Sequence, residues 1–247
     1  MQHFKPFRIQ SDSESAHGQG FLTGYYEPVV EGRLTPSASF SAPILSRPTN
    51  LVTFANASDD LGLGLSAGII TRSGALAACP DRAAIENGAL EQFSAPLVWL
   101  RDHAEVFLIQ VQGSAQVRLP GGRTMRLGYA GRNGHPYSSI GRMLIEMGEI
   151  AQSEMSLARL KQWIRQHGQR MGDAGRALMQ RNKSYVFFKI DESLDSEAGP
   201  VGAAGLPLTP LRSIAVDRSL WHYGLPFWIS AELPWASEAL EKFERLM

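Results

Sequence analysis

Six carboxylates, Glu27, Glu31, Asp102, Glu105, Asp217 and Glu232, are the groups of this sequence best suited to acid–base work. A pair of them could break a glycosidic bond, one protonating the leaving oxygen and the other acting as base or nucleophile. Glu27 stands out, because two tyrosines precede it and Pro28 follows and fixes its direction. A glutamate at a strand end is more often a solvated or salt-bridged residue than a catalytic one. Asp217-Arg218 reads as a local ion pair or turn bond rather than an acid. Nucleophilic chemistry has less to work with: there is no G-x-S-x-G elbow, and Cys79 precedes Pro80 with no histidine near it in sequence. The six histidines never fall into an H-x-x-x-H or H-E-x-x-H pattern, so neither a metal nor a cofactor is predicted.

Binding chemistry is denser than catalytic chemistry. Residues 131–135, Gly-Arg-Asn-Gly-His, lack the lysine and spacing of a phosphate loop and the glycine pattern of a dinucleotide fold. They read instead as a glycine-hinged loop that aims Arg132, Asn133 and His135 outward, or as a turn with polar decoration. In Gln112-Gly113-Ser114 a glycine within a strand would mark a bulge or the close approach of a ligand. Tyr25, Tyr26, Tyr129 and Tyr137 lie in or beside these segments and could lie under the apolar faces of sugar rings. Residues 111–142 contain five arginines and no Asp or Glu, which favours an acidic or hydroxyl-rich ligand.

These residues need elements to carry them. Residues 21–28 have strand composition and stop at a proline. Residues 34–48 hold three prolines and suit a linker or extended edge, with a domain crossover near 30–50. Asp81 to Gly88 reads as a short connecting helix between an N-cap and a left-handed stop. Residues 106–112, 115–119 and 124–129 read as three antiparallel strands, the last two joined by a turn at Pro120-Gly121-Gly122. Ile140, Met143, Leu144 and Met147, then Leu157, Leu160 and Ile164 with Trp163, follow helical spacing and mark core. Strands return at 185–190, 208–216 and 226–232, and 237–247 reads as a loop or short helix.

The chain has 247 residues, 44% hydrophobic and 19% charged, with formal net charge 0, enough for one good core or two modest ones. Neutrality argues against a protein whose main task is gripping nucleic acid. A single cysteine forms no intrachain disulfide. No apolar run approaches the roughly 18 residues of a membrane span, and the first ten residues lack a secretory apolar core.

The pieces GYYEP (24–28), P-I-x-x-x-P (43–48), VQGSAQVRLPGG (111–122), YAGRNGHPYSSIG (129–141), SYVFFK (184–189) and SIAVDRSLWHYGLPFWI (213–229) resemble the MltA family of membrane-bound lytic murein transglycosylases. The resemblance implies a mainly β fold with some helix. In it a double-psi β-barrel (residues 1–35 and 205–247, incomplete at the C-terminus) receives a second small β-barrel domain (36–204). It implies cleavage of the MurNAc–GlcNAc β-1,4 bond of peptidoglycan with a 1,6-anhydromuramoyl product, in the periplasm or at the outer membrane of a Gram-negative bacterium, by a monomer. The partner is the peptidoglycan glycan strand, with no nucleic acid and with membrane contact only through an anchor. Tyr25, Tyr26, Glu27, Gln112, Gly113, Ser114, Tyr129, Arg132, Asn133, His135 and Asp217 are the substrate-binding candidates. The family's catalytic aspartate motif, D-x-G-x-A-I-x-G followed by a second Asp, has no counterpart before Met247. The acid is therefore expected beyond that residue, and little activity from this chain alone. A non-catalytic glycan-binding module and a β domain that binds another protein are the competing readings.

Overall fold

A computed structural model describes residues 24–54, 65–192, 198–233, 235 and 239–247. The early polar stretch and residues 21–23 of the first expected strand lie outside them. Eleven strands and five α-helices are present among the described residues, so the protein is mainly β with some helix.

The chief element is a six-stranded sheet built from β1 (Val29–Arg33), β2 (Ala42–Leu45), β6 (Pro96–Leu100), β7 (Ala115–Arg118), β8 (Thr124–Arg132) and β9 (Val186–Ile190). Its order is β2-β6-β1-β7-β8-β9, with β1 and β7 parallel and every other neighbouring pair antiparallel. A parallel bridge between Ser46 and Phe188 ties the end of edge strand β2 to edge strand β9, so the sheet curls back toward itself. The linker-like 34–48 segment thus does supply an extended edge. β1 hydrogen-bonds to both β6 and β7, so this sheet runs across residue 35. A three-stranded sheet, β3 (Leu51–Thr53), β4 (Ala67–Ile70) and β5 (Leu76–Ala78), packs beside it. The hairpin of β10 (Trp228–Leu233) and β11 (Glu241–Leu246) forms its own sheet.

Inside the curl, Ile44, Val98, Leu100, Val117, Met125, Leu127 and Phe188 form one buried cluster. It is capped by α2 (His103–Gln112), which gives Val106 and Ile109 to that cluster. On its other side α2 gives Ala104, Phe107 and Leu108 to a helical layer of α3 (Ile140–Glu146), α4 (Leu157–Gln166) and α5 (Ala174–Arg181). A helix buried on two sides has no polar stripe, so residues 106–112, expected as a strand, are helical. The local signals agree with the helix: the Asp102 carboxylate accepts from Glu105 N at 2.8 Å, and Gly113 closes the other end at φ 83°.

Three further expectations are corrected. Residues 24–28 are not strand: Pro28 O accepts from Gln116 N of β7 at 2.8 Å, but the strand itself starts at Val29, after a proline that has no N–H to give. Residues 208–216 hold no strand: a turn at 210–212 sits in irregular backbone, where Pro210 has no N–H for a ladder and Leu211 sits at φ 58°. The end of the chain contains β11 rather than a loop or helix. The helices expected around 81–88, 140–147 and 157–164 are present as α1 (Arg82–Glu86), α3 and α4.

Candidate functional site

Strand register brings three of the resembling motifs, GYYEP, VQGSAQVRLPGG and YAGRNGHPYSSIG, to one end of the six-stranded sheet. The lead-in to β1, the lead-in to β7 and the last residues of β8 share that end, because Val29 lies opposite Gln116 in parallel and Ala115 opposite Leu127 in antiparallel. Here the Tyr25 hydroxyl is hydrogen-bonded to the Ser114 hydroxyl, and Tyr26 N donates to Gln112 Oε1 at 3.4 Å. The α2 C-cap is therefore the floor on which the two tyrosines rest. Gly113 is the left-handed stop of a helix, not a strand bulge, and its Cβ position faces open space. Ser114 is buried while both rings stay about half exposed, at 48% and 44%. Partial burial raises the Tyr25 pKa above that of a free phenol.

Glu27 underpins the two tyrosines. Its carboxylate pairs with Arg126 through both oxygens at 3.2 Å and accepts from Gln116 Nε2 at 2.8 Å. Gln116 and Arg126 are themselves cross-strand partners, so the bonds tie the lead-in of β1 to β7 and β8. A carboxylate bound in this way holds backbone in place.

The second motif behaves differently. Tyr129 stays 50% exposed, and Arg132 is exposed with one guanidinium nitrogen donating to Ser66 Oγ at 2.9 Å. Asn133, expected to point outward, is completely buried. Its Nδ2 donates to Pro80 O and Lys183 O, and its Oδ1 accepts from Tyr185 N, each at 2.9 Å, so every polar group of the side chain has a partner inside. His135 also turns inward, its Nε2 lying 2.8 Å from Cys79 O. Gly134 sits at φ 84°, where a Cβ would lie 2.4 Å from the backbone nitrogen of Ala67.

The other carboxylates are placed elsewhere. Asp217 is an exposed turn residue bonded to Ser219 N at 2.8 Å and Ser219 Oγ at 2.7 Å, bonds that lower its pKa. This is the turn bond the sequence suggested, made to serine and not to Arg218. Glu31 pairs with Arg101, Asp102 caps α2 and pairs with Arg165 at 2.8 Å, and Glu232 lies across from Lys242 in the hairpin. Burial raises the Glu105 pKa. Among the described residues no cluster of three or more His, Cys, Asp or Glu is arranged to hold a metal. What gathers at the sheet end is aromatic faces with hydroxyl and amide groups, a surface suited to a hydroxyl-rich chain. Sequence reasoning missed Arg82, which it placed in a connecting helix. The only available signal was a charged residue just inside a helix start.

Comparison with known proteins follows the same segments. A family described as the MltA specific insert domain matches residues 21–189. Membrane-bound lytic murein transglycosylase A of Vibrio cholerae is 34% identical over 219 residues, covering 88% of this chain and 50% of that protein. Its namesake in Escherichia coli is 32% identical over 221 residues, with coverage of 89% and 52%. Among solved structures, a membrane-bound lytic murein transglycosylase from Agrobacterium tumefaciens superposes with TM-score 0.78 at 34% identity, covering 91% of this chain and 61% of that one. The crystal structure of E. coli MltA with bound chitohexaose superposes with TM-score 0.68 at 29% identity, covering 91% and 58%. The chain spans about half the length of the curated relatives it matches.

Proposed function

The chain belongs to the MltA family, and from that premise we propose that it serves a lytic transglycosylase of peptidoglycan by cradling the glycan strand. The reaction breaks the β-1,4 bond between N-acetylmuramic acid and N-acetylglucosamine and leaves a 1,6-anhydromuramoyl end. One carboxyl suffices: it protonates the glycosidic oxygen, and its conjugate base takes the proton of the C6 hydroxyl as that oxygen attacks C1 of the same sugar. That carboxyl is a group other than Glu27, whose oxygens are held by Arg126 and Gln116.

In this reading Tyr25, Tyr26, Gln112, Gly113, Ser114, Tyr129 and Arg132 line the glycan path, while Glu27, Asn133 and His135 support it from beneath. Asp217 keeps only its turn role. The observation that carries the reading is the junction of two distant motifs, Tyr25 with Ser114 and Tyr26 with Gln112, at the sheet end that also bears Tyr129. The curled six-stranded sheet is the small inserted barrel, assigned to 36–204, with β1 a central strand that comes from the 1–35 segment. Residues 1–35 and 205–247, which include the separate β10–β11 hairpin, contribute to the double-psi barrel. One copy acts alone, in the periplasm or at the outer membrane of a Gram-negative cell, the setting suggested by relatives named membrane-bound.

The test has two readouts. Chitohexaose titrated into the labelled protein should shift the backbone amide signals of Tyr26, Gly113, Ser114 and Ala130, and silence at all four overturns the reading. Sacculi incubated with the protein are then analysed by mass spectrometry. Released anhydromuropeptides place the activity in this chain, whereas binding without release makes it a non-catalytic glycan-binding module.

A further inference from the structure

Arg82 opens a five-residue helix far from both motifs in sequence, yet it is 2% exposed and every nitrogen of its guanidinium has a partner. Three consecutive carbonyls are gripped by this one residue. Nε donates to Asn182 O at 3.0 Å, its backbone N–H to Lys183 O at 3.1 Å, and Nη2 to Ser184 O. Nη1 donates to Gln110 Oε1 at 2.6 Å and pairs with Glu86 at 3.4 Å. The guanidinium carbon lies 4.6 Å from the Phe107 ring centre and 5.1 Å from that of Tyr185, so aromatic faces hold the fork in place.

Both ends of that grip lead to the glycan-facing surface. Gln110 is in the last turn of α2, two residues before Gln112-Gly113-Ser114. The 182–185 strip is the template for the other loop: Asn182 Oδ1 accepts from Ser138 N at 3.1 Å, Asn133 Nδ2 bonds Lys183 O, and Asn133 N donates to Tyr185 O at 3.0 Å. We propose that Arg82 is a positioning residue that sets the spacing between the Tyr25–Ser114 floor and the 129–138 loop, so that both meet one glycan strand. Lysine cannot substitute, since a single ammonium on a flexible stem does not reproduce a planar fork bonded along three edges. The inference rests on the glycan reading above, and its test separates the two.

Arg176→Met is the control: Arg176 is 4% exposed and pairs with the same Glu86 at 2.8 Å, but it bonds neither the 182–184 carbonyls nor Gln110. Arg82→Lys should weaken chitohexaose binding by about tenfold or more. It should also accelerate amide exchange at Ser138 by about tenfold, while its thermal midpoint falls no further than that of Arg176→Met. The control should keep its affinity within about threefold of the parent. Asn182→Ala, which removes the side-chain links to Ser138 N and Ser184 N but keeps the backbone carbonyl that Arg82 Nε binds, should release the Ser138 amide and weaken binding by about threefold, and it decides the matter if Arg82→Lys does not fold. Parent-like binding in Arg82→Lys or Asn182→Ala overturns the proposal. So does an equal loss in Arg176→Met at a matched midpoint, which would make the role one of stability alone. If the parent shows no response to chitohexaose, the glycan reading has failed, and Ser138 exchange alone then judges whether Arg82 orders the loop.

Discussion

The tyrosine floor at 24–28 with 112–114 and the loop at 129–138 are built from the same residue types, yet they use them in opposite ways. The floor keeps its rings half exposed and hides what supports them, with Ser114 and the Glu27–Arg126 pair underneath. The loop leaves Tyr129, Arg132 and Tyr137 exposed but turns its asparagine and histidine inward, where they bond backbone carbonyls. Polar side chains near glycines therefore do two jobs, presenting groups to a ligand and fixing the backbone that presents them. Only the location of their partners tells which job is done.

The largest effect should come from two glycines with the same backbone angle. Gly113 at φ 83° has nothing within 4 Å of its Cβ position, whereas Gly134 at φ 84° would place a Cβ 2.4 Å from Ala67 N. Gly113→Ala should cost only the left-handed penalty of about 1 kcal/mol. Gly134→Ala adds displacement of a strand backbone and should lose about 4 kcal/mol. Urea denaturation of the two variants measures this, and equal losses would erase the contrast between an open floor and a stitched loop.

Next in size is Asn133→Ala. It strips partners from Pro80 O and Tyr185 N and one of two from Lys183 O, at a side chain that is itself wholly buried, for about 3 kcal/mol. A loss below about 1 kcal/mol would mean that water reaches those groups, and the loop would then not be locked.

These contrasts explain what could be read from sequence. The helices α3 and α4 were legible because each carries its apolar stripe and its stop within a dozen residues. At the floor the residue types were legible, tyrosines before a proline and a glycine between Gln112 and Ser114, but the helix end that Gly113 caps was not. Helix α2 was not, since burial on both sides erases the stripe that distinguishes helix from strand. Nor was the direction of Asn133, which is set by carbonyls 53 and 50 residues away, or the role of Glu27, whose partner lies 99 residues on. Arg82 escaped for the same reason: its acceptors are about a hundred residues distant.

Arg126→Met tests the support beneath the floor. It strands Glu27 at 11% side-chain exposure with only Gln116 as partner, and should cost about 2 kcal/mol, below the usual figure for a fully buried pair because the site is not wholly dry. Adding Glu27→Gln should recover part of the loss, because no charge is then left behind. If the double variant is no better than the single one, the pair is not the support described, and Arg126 matters through packing alone.

The smallest change is Tyr25→Phe, and it bears most directly on what the floor is for. It removes one hydroxyl and leaves a buried Ser114 hydroxyl seeking another partner, for about 1 kcal/mol or less given the half-exposed ring. Burial raises the Tyr25 pKa, so ionisation is harder in the folded state than in the unfolded one. The stability this group contributes is held below about pH 10 and lost as pH rises through its folded-state value. The parent should therefore lose stability more steeply than Tyr25→Phe on the alkaline side, although Tyr129, Tyr137 and Tyr185, also raised, keep some slope in both. Chitohexaose affinity should drop less than about fivefold in Tyr25→Phe, because the ring that would lie under a sugar remains, and further in Tyr25→Ala, where it does not. If the two variants bind alike, the hydroxyl and not the ring is what Tyr25 offers, and the floor would be a hydrogen-bonding edge instead of an aromatic platform.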